Sequence, residues 1–265
     1  MNFKPRFSII TPSFNQGIYI RDTIESILQQ DYNNFEHIIV DGGSTDETIA
    51  ILKEYKHLKW VSEKDNGQSN AINKGFTMAT GDIIGWLNSD DYYEKNIFNK
   101  ISQHFNQNPA CNLLYGDITY VDLNKIALFS IKGPIITYEK LLANPDLIRQ
   151  PSTFWRATLL SRIGNLNENL HLVMDYDYIL RILEVTSPWY YNANLSYFRT
   201  YRTNKTNSNP RKQAKELFYV MRQHSSHLSV KQHWFLLLRY INYYNSIFYI
   251  SVRWCYRVVK NIFDE

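Results

Sequence analysis

Cysteine is scarce in this chain: its 265 residues include two, Cys111 and Cys255. Two thiols cannot build a disulfide framework or a zinc site, which excludes disulfide-stabilised scaffolds and cysteine-ligated zinc proteins. No segment reaches the roughly 20 uncharged apolar residues that a membrane-spanning helix needs. The apolar run near the N-terminus is too short for a signal peptide. We therefore expect a protein of a reducing, cytoplasmic compartment.

The chain also lacks two glycine-rich motifs that commonly bind phosphate. No G-x-x-x-x-G-K-[ST] occurs, and no G-x-G-x-x-G follows the first predicted strand. A P-loop enzyme and a dinucleotide-binding enzyme therefore have no support. Extensive disorder is not expected either, because 44% of the residues are hydrophobic and the chain holds 20 Tyr and 14 Phe.

Charge is distributed unevenly. Residues 1–198 carry 17 basic and 22 acidic side chains, a net charge of −5, whereas residues 199–265 carry 12 and 3, a net charge of +9. The acidic part, residues 1–198, and the basic part, residues 199–265, are therefore predicted to have different roles. The segment 231–262 is apolar on nearly all sides and basic, which predicts an interfacial helix on anionic lipid. The alternative is a helix that packs on the preceding domain or forms a dimer. The tail is too apolar for a nucleic-acid surface.

Short apolar strands alternate with amphipathic helices over the first 90 residues, which predicts an α/β fold with a mostly parallel sheet. The predicted strands are residues 7–11, broken by Pro12, then 36–41, 59–63 and 82–87. The predicted helices are residues 18–30, a segment from about 46, and 69–79. Beyond residue 112 we predict an antiparallel hairpin that turns near Leu123 and Asn124, helices at 137–143 and 173–185, and two further helices between 211 and 262.

Polar or acidic loops follow all four of the first strands. These loops are Thr11-Pro12-Ser13, Asp41-Gly42-Gly43-Ser44, Asp65-Asn66-Gly67 and Asn88-Ser89-Asp90-Asp91. Parallel sheets bind ligands beyond the carboxyl ends of their strands, so the four loops predict one ligand site.

Two of these loops have a functional and a structural interpretation. Asp90 and Asp91 could hold Mg²⁺ or Mn²⁺ for a phosphorylated ligand, or Asp91 could cap a helix that starts near Glu94. Asp41 ends a buried strand, where a carboxylate needs donors; it could accept the imino N–H of a uracil or thymine ring. Ser44 or Thr45 could simply cap the next helix.

Four blocks of the sequence carry a family resemblance. They are TPSFNQGIYIRDTIESILQQDY, HIIVDGGSTDETIAIL, EKDNGQSNAINKGFTMATGDIIGWLNSDD and QPSTFWR with VMDYDYILRI. In this order and spacing they resemble the inverting family 2 glycosyltransferases over roughly residues 5–200. The resemblance implies a GT-A fold, a Rossmann-like sandwich with a mostly parallel central sheet, here followed by a C-terminal helical extension.

The resemblance also implies the site residues. Those that match nucleotide-binding positions are Thr11, Pro12, Ser13, Asp41, Asp65, Gly67, Gln68, Asn70, Asn88 and Ser89. Asp90 matches the ligand of a divalent cation, Mn²⁺ or Mg²⁺, with Asp91 as a second candidate. Asp175 matches the catalytic base that deprotonates the acceptor hydroxyl, with inversion at the anomeric carbon.

Three departures from the family pattern affect the expectations. Asn88 stands where the metal motif usually has its first acid, so metal affinity would rest on Asp90. The Q-x-x-R-W motif of processive synthases is absent, which favours transfer of a single sugar. Tyr201 stands where relatives often carry His, so Arg199 or Arg202 could supply a cation near the phosphates.

The plainer expectations concern packing. Asp177 is expected to pair with Arg181 four residues on, Asp117 to cap a turn, and Trp155 and Trp189 to pack in the core.

We expect a glycosyltransferase domain over residues 1–205, with a nucleotide-binding half at 1–110 and an acceptor-side half at 111–205, and a helical tail at 206–265. The expected partners are a nucleotide-sugar donor, a UDP-sugar above others, and a lipid-linked or saccharide acceptor. The tail would place the enzyme peripherally on the inner face of the cell membrane. The alternatives are a nucleotidyltransferase, although the first loop lacks its Gly-rich basic segment, and a non-catalytic binding module.

Overall fold

Nine strands form one mixed sheet within residues 3–147, 149–201, 204–205, 209–224, 234 and 238, the part of the chain that the computed structural model describes. The strands are β1 (Phe7–Ser13), β2 (Phe35–Asp41), β3 (Lys59–Ser62), β4 (Ile83–Trp86), β5 (Tyr92–Tyr93), β6 (Leu113–Val121), β7 (Ala127–Ile131), β8 (Thr153–Arg156) and β9 (Pro188–Arg199). The helices are α1 (Gly17–Leu28), α2 (Thr48–Glu54), α3 (Gln68–Met78), α4 (Ile97–Gln107), α5 (Tyr138–Ala143), α6 (Thr158–Ile163), α7 (Met174–Leu183) and α8 (Pro210–Gln223).

The sheet has a parallel half and a mixed half. Its strand order is β3-β2-β1-β4-β8-β6-β9-β5, with β7 paired to β6. The first four strands are parallel, as predicted. β8 then runs antiparallel to both β4 and β6, while β9 is parallel to β6 along nearly its whole length. The predicted antiparallel hairpin is confirmed as β6 and β7.

The predicted strand break at Pro12 is wrong, and the alternative role of Asp91 as a helix cap is excluded. Pro12 does not break β1, which runs on to Ser13. The pairing of β1 with β4 ends at Ile10. Pro12 lies beyond this pairing, so its lack of a backbone N–H removes no hydrogen bond between β1 and β4. Asp91 caps no helix, because α4 begins at Ile97 after Asn96.

The strands β8 and β9 have no counterpart among the predictions. β9 mixes aromatic residues with polar ones such as Asn192 and Asn194, and many of its residues are half-buried, so it shows no clear apolar alternation. Its partner β6 lies about 70 residues earlier in the chain, and local sequence does not report that pairing.

Aromatic side chains fill much of the core between the sheet and α4. The Phe7 and Phe98 rings stack with centroids 4.6 Å apart, and both meet Phe154 edge-on. Trp155 is 1% exposed and lies against Phe76, which confirms its predicted core role. Trp189 is 37% exposed, so its predicted burial is wrong.

The chain divides into two compact units between Tyr201 and Arg202. In the second unit, α8 starts where Asn209 Oδ1 accepts a hydrogen bond from the Lys212 N–H at 3.0 Å. The predicted interfacial segment 231–262 falls almost entirely outside the described residues. Across the described parts of both units, no helix is both long and apolar enough to cross a bilayer.

A buried carboxylate ties together the amino-terminal ends of the central strands. Glu36 is 2% exposed at its side chain and pairs with Arg6 and Lys59. It also accepts hydrogen bonds from Ser8 Oγ and from the Thr80 N–H and hydroxyl. Burial alone would raise the pKa of Glu36, but the bonds from Lys59, Ser8 and Thr80 outweigh it and lower the pKa to about 2.

Replacing Glu36 with Gln should reduce the free energy of unfolding by about 2 kcal/mol at pH 7, because the pairs and charge-assisted bonds are lost. The folded pKa of about 2 lies below the ordinary value of 4.5. The electrostatic part of this stability is therefore complete above pH 4.5 and is lost as the pH falls toward 2. The difference between the urea unfolding curves of the two proteins should be clearly smaller at pH 3 than at pH 7, because part of the contribution of Glu36 is already lost at pH 3. An equal difference at both pH values would contradict this account.

Candidate functional site

The loops that follow β1, β2 and β3 are joined at one edge of the sheet. The Asn15 N–H donates to Ser44 Oγ at 2.7 Å, and the Thr45 N–H donates to Asn15 Oδ1 at 2.9 Å. Gly42 lies against Asp65, since a β-carbon at this glycine would stand 3.0 Å from Asp65 Oδ2. The polar strand ends singled out in the sequence therefore do meet at one place.

The Asp41 carboxylate shapes the second of these loops. It is fully buried and accepts from the Gly43 and Ser44 N–H groups at 3.0 and 2.8 Å, from Ser62 Oγ at 2.7 Å and from Ser44 Oγ. Three of these bonds reach Oδ2, so Oδ1 keeps acceptor capacity. Because Ser44 binds Asp41 and Asn15, it does not cap α2 as predicted; α2 begins at Thr48, whose N–H donates to Asp46.

The end of β1 is buried. Thr11 is 0% exposed, and its Oγ1 lies 2.9 Å from His37 Nε2. Burial, with a small effect of the nearby His57, lowers the pKa of His37 to about 3, so this imidazole is neutral. Pro12 and Ser13 are buried as well. The side chain of Thr11 therefore faces the core, and any ligand would meet this strand beyond it.

The third loop leads into α3. Asp65 Oδ1 accepts the Gly67 N–H at 2.8 Å, and Gly67 has φ +106, which a residue with a side chain rarely adopts. From the first turn of α3, Gln68 Nε2 donates to Asn88 Oδ1 at 2.9 Å, so the loops after β3 and β4 also meet.

Asn70 points elsewhere. Its amide donates to both carboxylate oxygens of Glu168 at 3.1 Å. Ser69 and Asn73, on the same helix, bind the backbone carbonyls of Leu170 and Leu166. This side of α3 thus anchors the segment before α7, a role that its polar sequence did not reveal.

The Asn88 amide is oriented by four neighbours. Its Oδ1 accepts from Gln68 and also from Trp86 Nε1 at 2.9 Å. Its Nδ2 donates to Gln150 Oε1 at 3.3 Å and points toward Asp91 Oδ2 at 3.5 Å. A carboxylate in place of the Asn88 amide would repel the buried carboxylate of Asp91. The neutral amide avoids this repulsion.

The backbone of the acidic turn is fixed from α1 and β9. Thr23 Oγ1 lies 2.9 Å from the Ser89 carbonyl and 2.7 Å from the Asp91 carbonyl. The Arg199 N–H donates to Asp91 Oδ1 at 3.0 Å. Asp91 is 0% exposed, whereas Asp90 is half-buried, so Asp90 is the acid that a ligand can reach.

The two acids receive neutral donors rather than a cation. Asp90 Oδ2 accepts the Tyr201 hydroxyl at 2.9 Å. The Arg199 guanidinium is 2.7 Å from Asp22 and 1% exposed, so it does not supply the expected free cation near phosphates. Arg202, the other candidate, lies outside the described residues. Within those residues no Lys or Arg forms an ion pair with Asp90 or Asp91.

The electrostatics of the pair fit a cation site. Burial raises the pKa of Asp90, although the Tyr201 hydrogen bond and Arg199 partly offset it. Burial and then the charge of Asp90 raise the pKa of Asp91 well above its usual range. A divalent cation beside Asp90 would stabilise both charges. No group of three or more His, Cys, Asp or Glu occurs in the described residues, but Mg²⁺ commonly binds one or two carboxylates plus phosphate oxygens.

The first turn of α7 carries the remaining acids. Asp177 is 8% exposed and pairs with Arg181 at 3.0 Å, as predicted. Arg181 also donates to the carbonyls of Ile163 and Asn165, so this pair fixes α7 to the segment after α6. Asp175 is half-buried, two residues earlier on a different face of the helix. Asp117 accepts from the Gly133 N–H and the Tyr190 hydroxyl, consistent with its predicted structural role.

Comparison with known proteins shows the family to which the chain belongs. The model for glycosyl transferase family 2 matches residues 8–155. The chain belongs to family 2 of the glycosyltransferases. An uncharacterized glycosyltransferase of Mycobacterium tuberculosis is 30% identical over 195 residues, which cover 71% of this chain and 72% of the relative. A PGL/p-HBAD biosynthesis glycosyltransferase of Mycobacterium bovis is 30% identical over 183 residues, which cover 67% and 69%.

Solved structures show that this family 2 chain has the GT-A fold. Staphylococcus aureus TarS, in a 1–349 fragment with UDP-GlcNAc, superposes with a TM-score of 0.68 at 18% identity, over 91% of this chain and 73% of the fragment. The chain spans 44% of a longer TarS chain. A Pyrobaculum calidifontis mannosyltransferase with GDP-Man and Mn²⁺ gives a TM-score of 0.64 at 15% identity, over 91% and 72%.

Sequence reasoning missed several residues that organise this glycosyltransferase site. Thr23 and Gln150 both hold the acidic turn, and Gln150 Nε2 also donates to the Trp86 carbonyl. Gln150 is the first residue of the QPSTFW block, so the sequence singled out its position but did not indicate its role. Thr23 sits on the buried face of α1, where a threonine gives no functional signal.

Replacing Asn88 with Asp should destabilise the metal-free protein by about 2 kcal/mol, because a third carboxylate would face Asp91 and Gln150 Oε1 without a donor. Mn²⁺ should recover part of this loss. Thermal melts in EDTA and in MnCl₂ measure both effects. Asn106→Asp, at an exposed position on α4, is the matched control. Equal stability of Asn88→Asp and wild type in EDTA would contradict the orientation of the Asn88 amide.

Proposed function

We propose that the protein transfers one sugar from a UDP-sugar to an acceptor hydroxyl, with inversion at the anomeric carbon and with the help of Mn²⁺ or Mg²⁺. The supporting observation is the acidic turn at the end of β4. Asp90 is accessible, Asp91 is buried behind it, and their described partners are neutral donors. A surplus of negative charge at the carboxyl edge of a parallel sheet suits a cation that accompanies a diphosphate.

The donor would lie along the edge formed by the first four strand ends. Its base would meet the loops after β1 and β2, where Asp41 Oδ1 keeps acceptor capacity for an imino N–H. Its ribose would lie near Asp65, Gly67 and Gln68, and its diphosphate near Asp90. Asn88 and Ser89 would support the acidic turn, whereas Asn70 would anchor the segment before α7 through Glu168.

The reaction would break the bond between the anomeric carbon and the diphosphate oxygen while the acceptor oxygen bonds to that carbon from the opposite face. A divalent cation, when bound at Asp90, would neutralise the charge that develops on the departing diphosphate. The acceptor proton would pass to Asp175. Asp175 is half-buried, whereas Asp177 is 8% exposed and pairs with Arg181, so Asp175 is the more accessible of the two acids for this role.

The acceptor would be a saccharide or a lipid-linked saccharide in the synthesis of a cell-surface glycan or glycolipid. The PGL/p-HBAD relative gives support for a glycolipid. The hairpin of β6 and β7 exposes several apolar side chains to solvent. Its side chains that are more than half exposed are Leu123, Ile126, Leu128 and Phe129. The basic tail of residues 206–265 would hold the enzyme peripherally at the inner face of the membrane.

Replacing Asp175 with Asn should lower kcat by roughly 10²–10⁴-fold and leave UDP affinity unchanged, because the amide cannot take the acceptor proton. UDP release from a panel of UDP-sugars with Mn²⁺ and a membrane-lipid extract measures the rate, and calorimetry measures UDP binding. Asp177→Asn is the matched control. It should lower the melting temperature through loss of the Arg181 pair yet keep kcat within about tenfold. An inactive Asp177→Asn beside an active Asp175→Asn would reassign the base.

A further inference from the structure

We propose that Tyr201 is a positioning residue that holds the Asp90 carboxylate ready for the cation. Its hydroxyl donates to Asp90 Oδ2 at 2.9 Å. This hydrogen bond uses one of the roughly four acceptor positions of a carboxylate and restricts its rotation. The remaining acceptor positions keep a defined direction for a metal ion.

The Tyr201 hydroxyl that donates to Asp90 carries no charge. A Lys or Arg in the place of Tyr201 would also orient Asp90, but it would cancel the negative charge that attracts a divalent cation. A phenol hydroxyl fixes the carboxylate and leaves its charge in place. The Arg199 guanidinium pairs with Asp22 at 2.7 Å, and within the described residues it forms no ion pair with Asp90.

The packing around Tyr201 supports a fixed position for its hydroxyl. Its ring lies 5.3 Å from the ring of Tyr19 on α1. The Arg199 guanidinium lies 4.8 Å from the Tyr19 ring, so Tyr19 contacts both residues. The mobility of a tyrosine ring is reduced by such contacts, and less entropy is then lost when its hydroxyl binds a partner.

The end of β9 serves both acids of the turn. Arg199, its last residue, donates its N–H to the buried Asp91, and Tyr201 follows two residues later to reach Asp90. One short segment therefore holds the buried acid through a backbone N–H and the accessible acid through a side-chain hydroxyl. The end of β9 would therefore help to set the position of the cation.

The inference rests on the proposed function, and Mn²⁺ binding tests it without turnover. Mn²⁺ is titrated into wild type and Tyr201→Phe in the presence of saturating UDP, and free Mn²⁺ is followed by electron paramagnetic resonance. Loss of a residue that orients a metal ligand typically weakens metal affinity by about 10–100-fold. We expect a loss of about tenfold for Tyr201→Phe, with a melting temperature in EDTA close to that of wild type.

The matched control is Tyr55→Phe, which also removes a hydroxyl from a carboxylate, since Tyr55 donates to Glu25 at 2.7 Å. It should leave Mn²⁺ affinity unchanged. Wild-type Mn²⁺ affinity in Tyr201→Phe would overturn the positioning role alone. A melting temperature in EDTA that falls much further than in Tyr55→Phe would show a structural role and would also overturn it. Absence of Mn²⁺ binding by wild type with UDP would instead refute the proposed function.

Discussion

The site is organised around two adjacent carboxylates that the protein holds without neutralising them. Asp91 is fully buried against a backbone N–H, and Asp90 accepts a phenol hydroxyl. Burying charge without a cation is unfavourable, and the raised pKa values of both acids express that cost. Fixed dipoles from the Arg199 N–H, the Tyr201 hydroxyl and the Asn88 amide partly offset this cost, so the turn is ready to receive a positive charge.

This requirement explains why separate parts of the chain converge on one turn. Thr23 comes from α1, Gln150 from the segment before β8, and Tyr201 from the end of β9. Thr23 and Tyr201 donate hydrogen bonds to residues of the turn, and Gln150 accepts one from the Asn88 amide. The parallel half of the sheet sets the position of the turn, and the mixed half supplies part of its support. The two halves of the sheet therefore act on the same acid pair, although they differ in strand direction.

Much of this architecture was readable from the sequence because it depends on local patterns. Alternating apolar strands and amphipathic helices gave the parallel half, and the polar residues after each strand gave the position of the site. The residues that the sequence could not place act over long range. The Tyr201–Asp90 bond joins positions 111 residues apart, and the polar face of α3 binds a segment almost 100 residues away. Asp41 was identified as a buried acceptor, but its partners depend on the fold of its own loop.

Anomalous diffraction at the manganese edge tests the central claim most directly, on crystals of the protein grown with Mn²⁺ and UDP. The account predicts a manganese peak about 2 Å from a carboxylate oxygen of Asp90, with the diphosphate of UDP among its other ligands. A manganese peak at other carboxylates, with Asp90 still bonded to Tyr201 and remote from both metal and diphosphate, would contradict it.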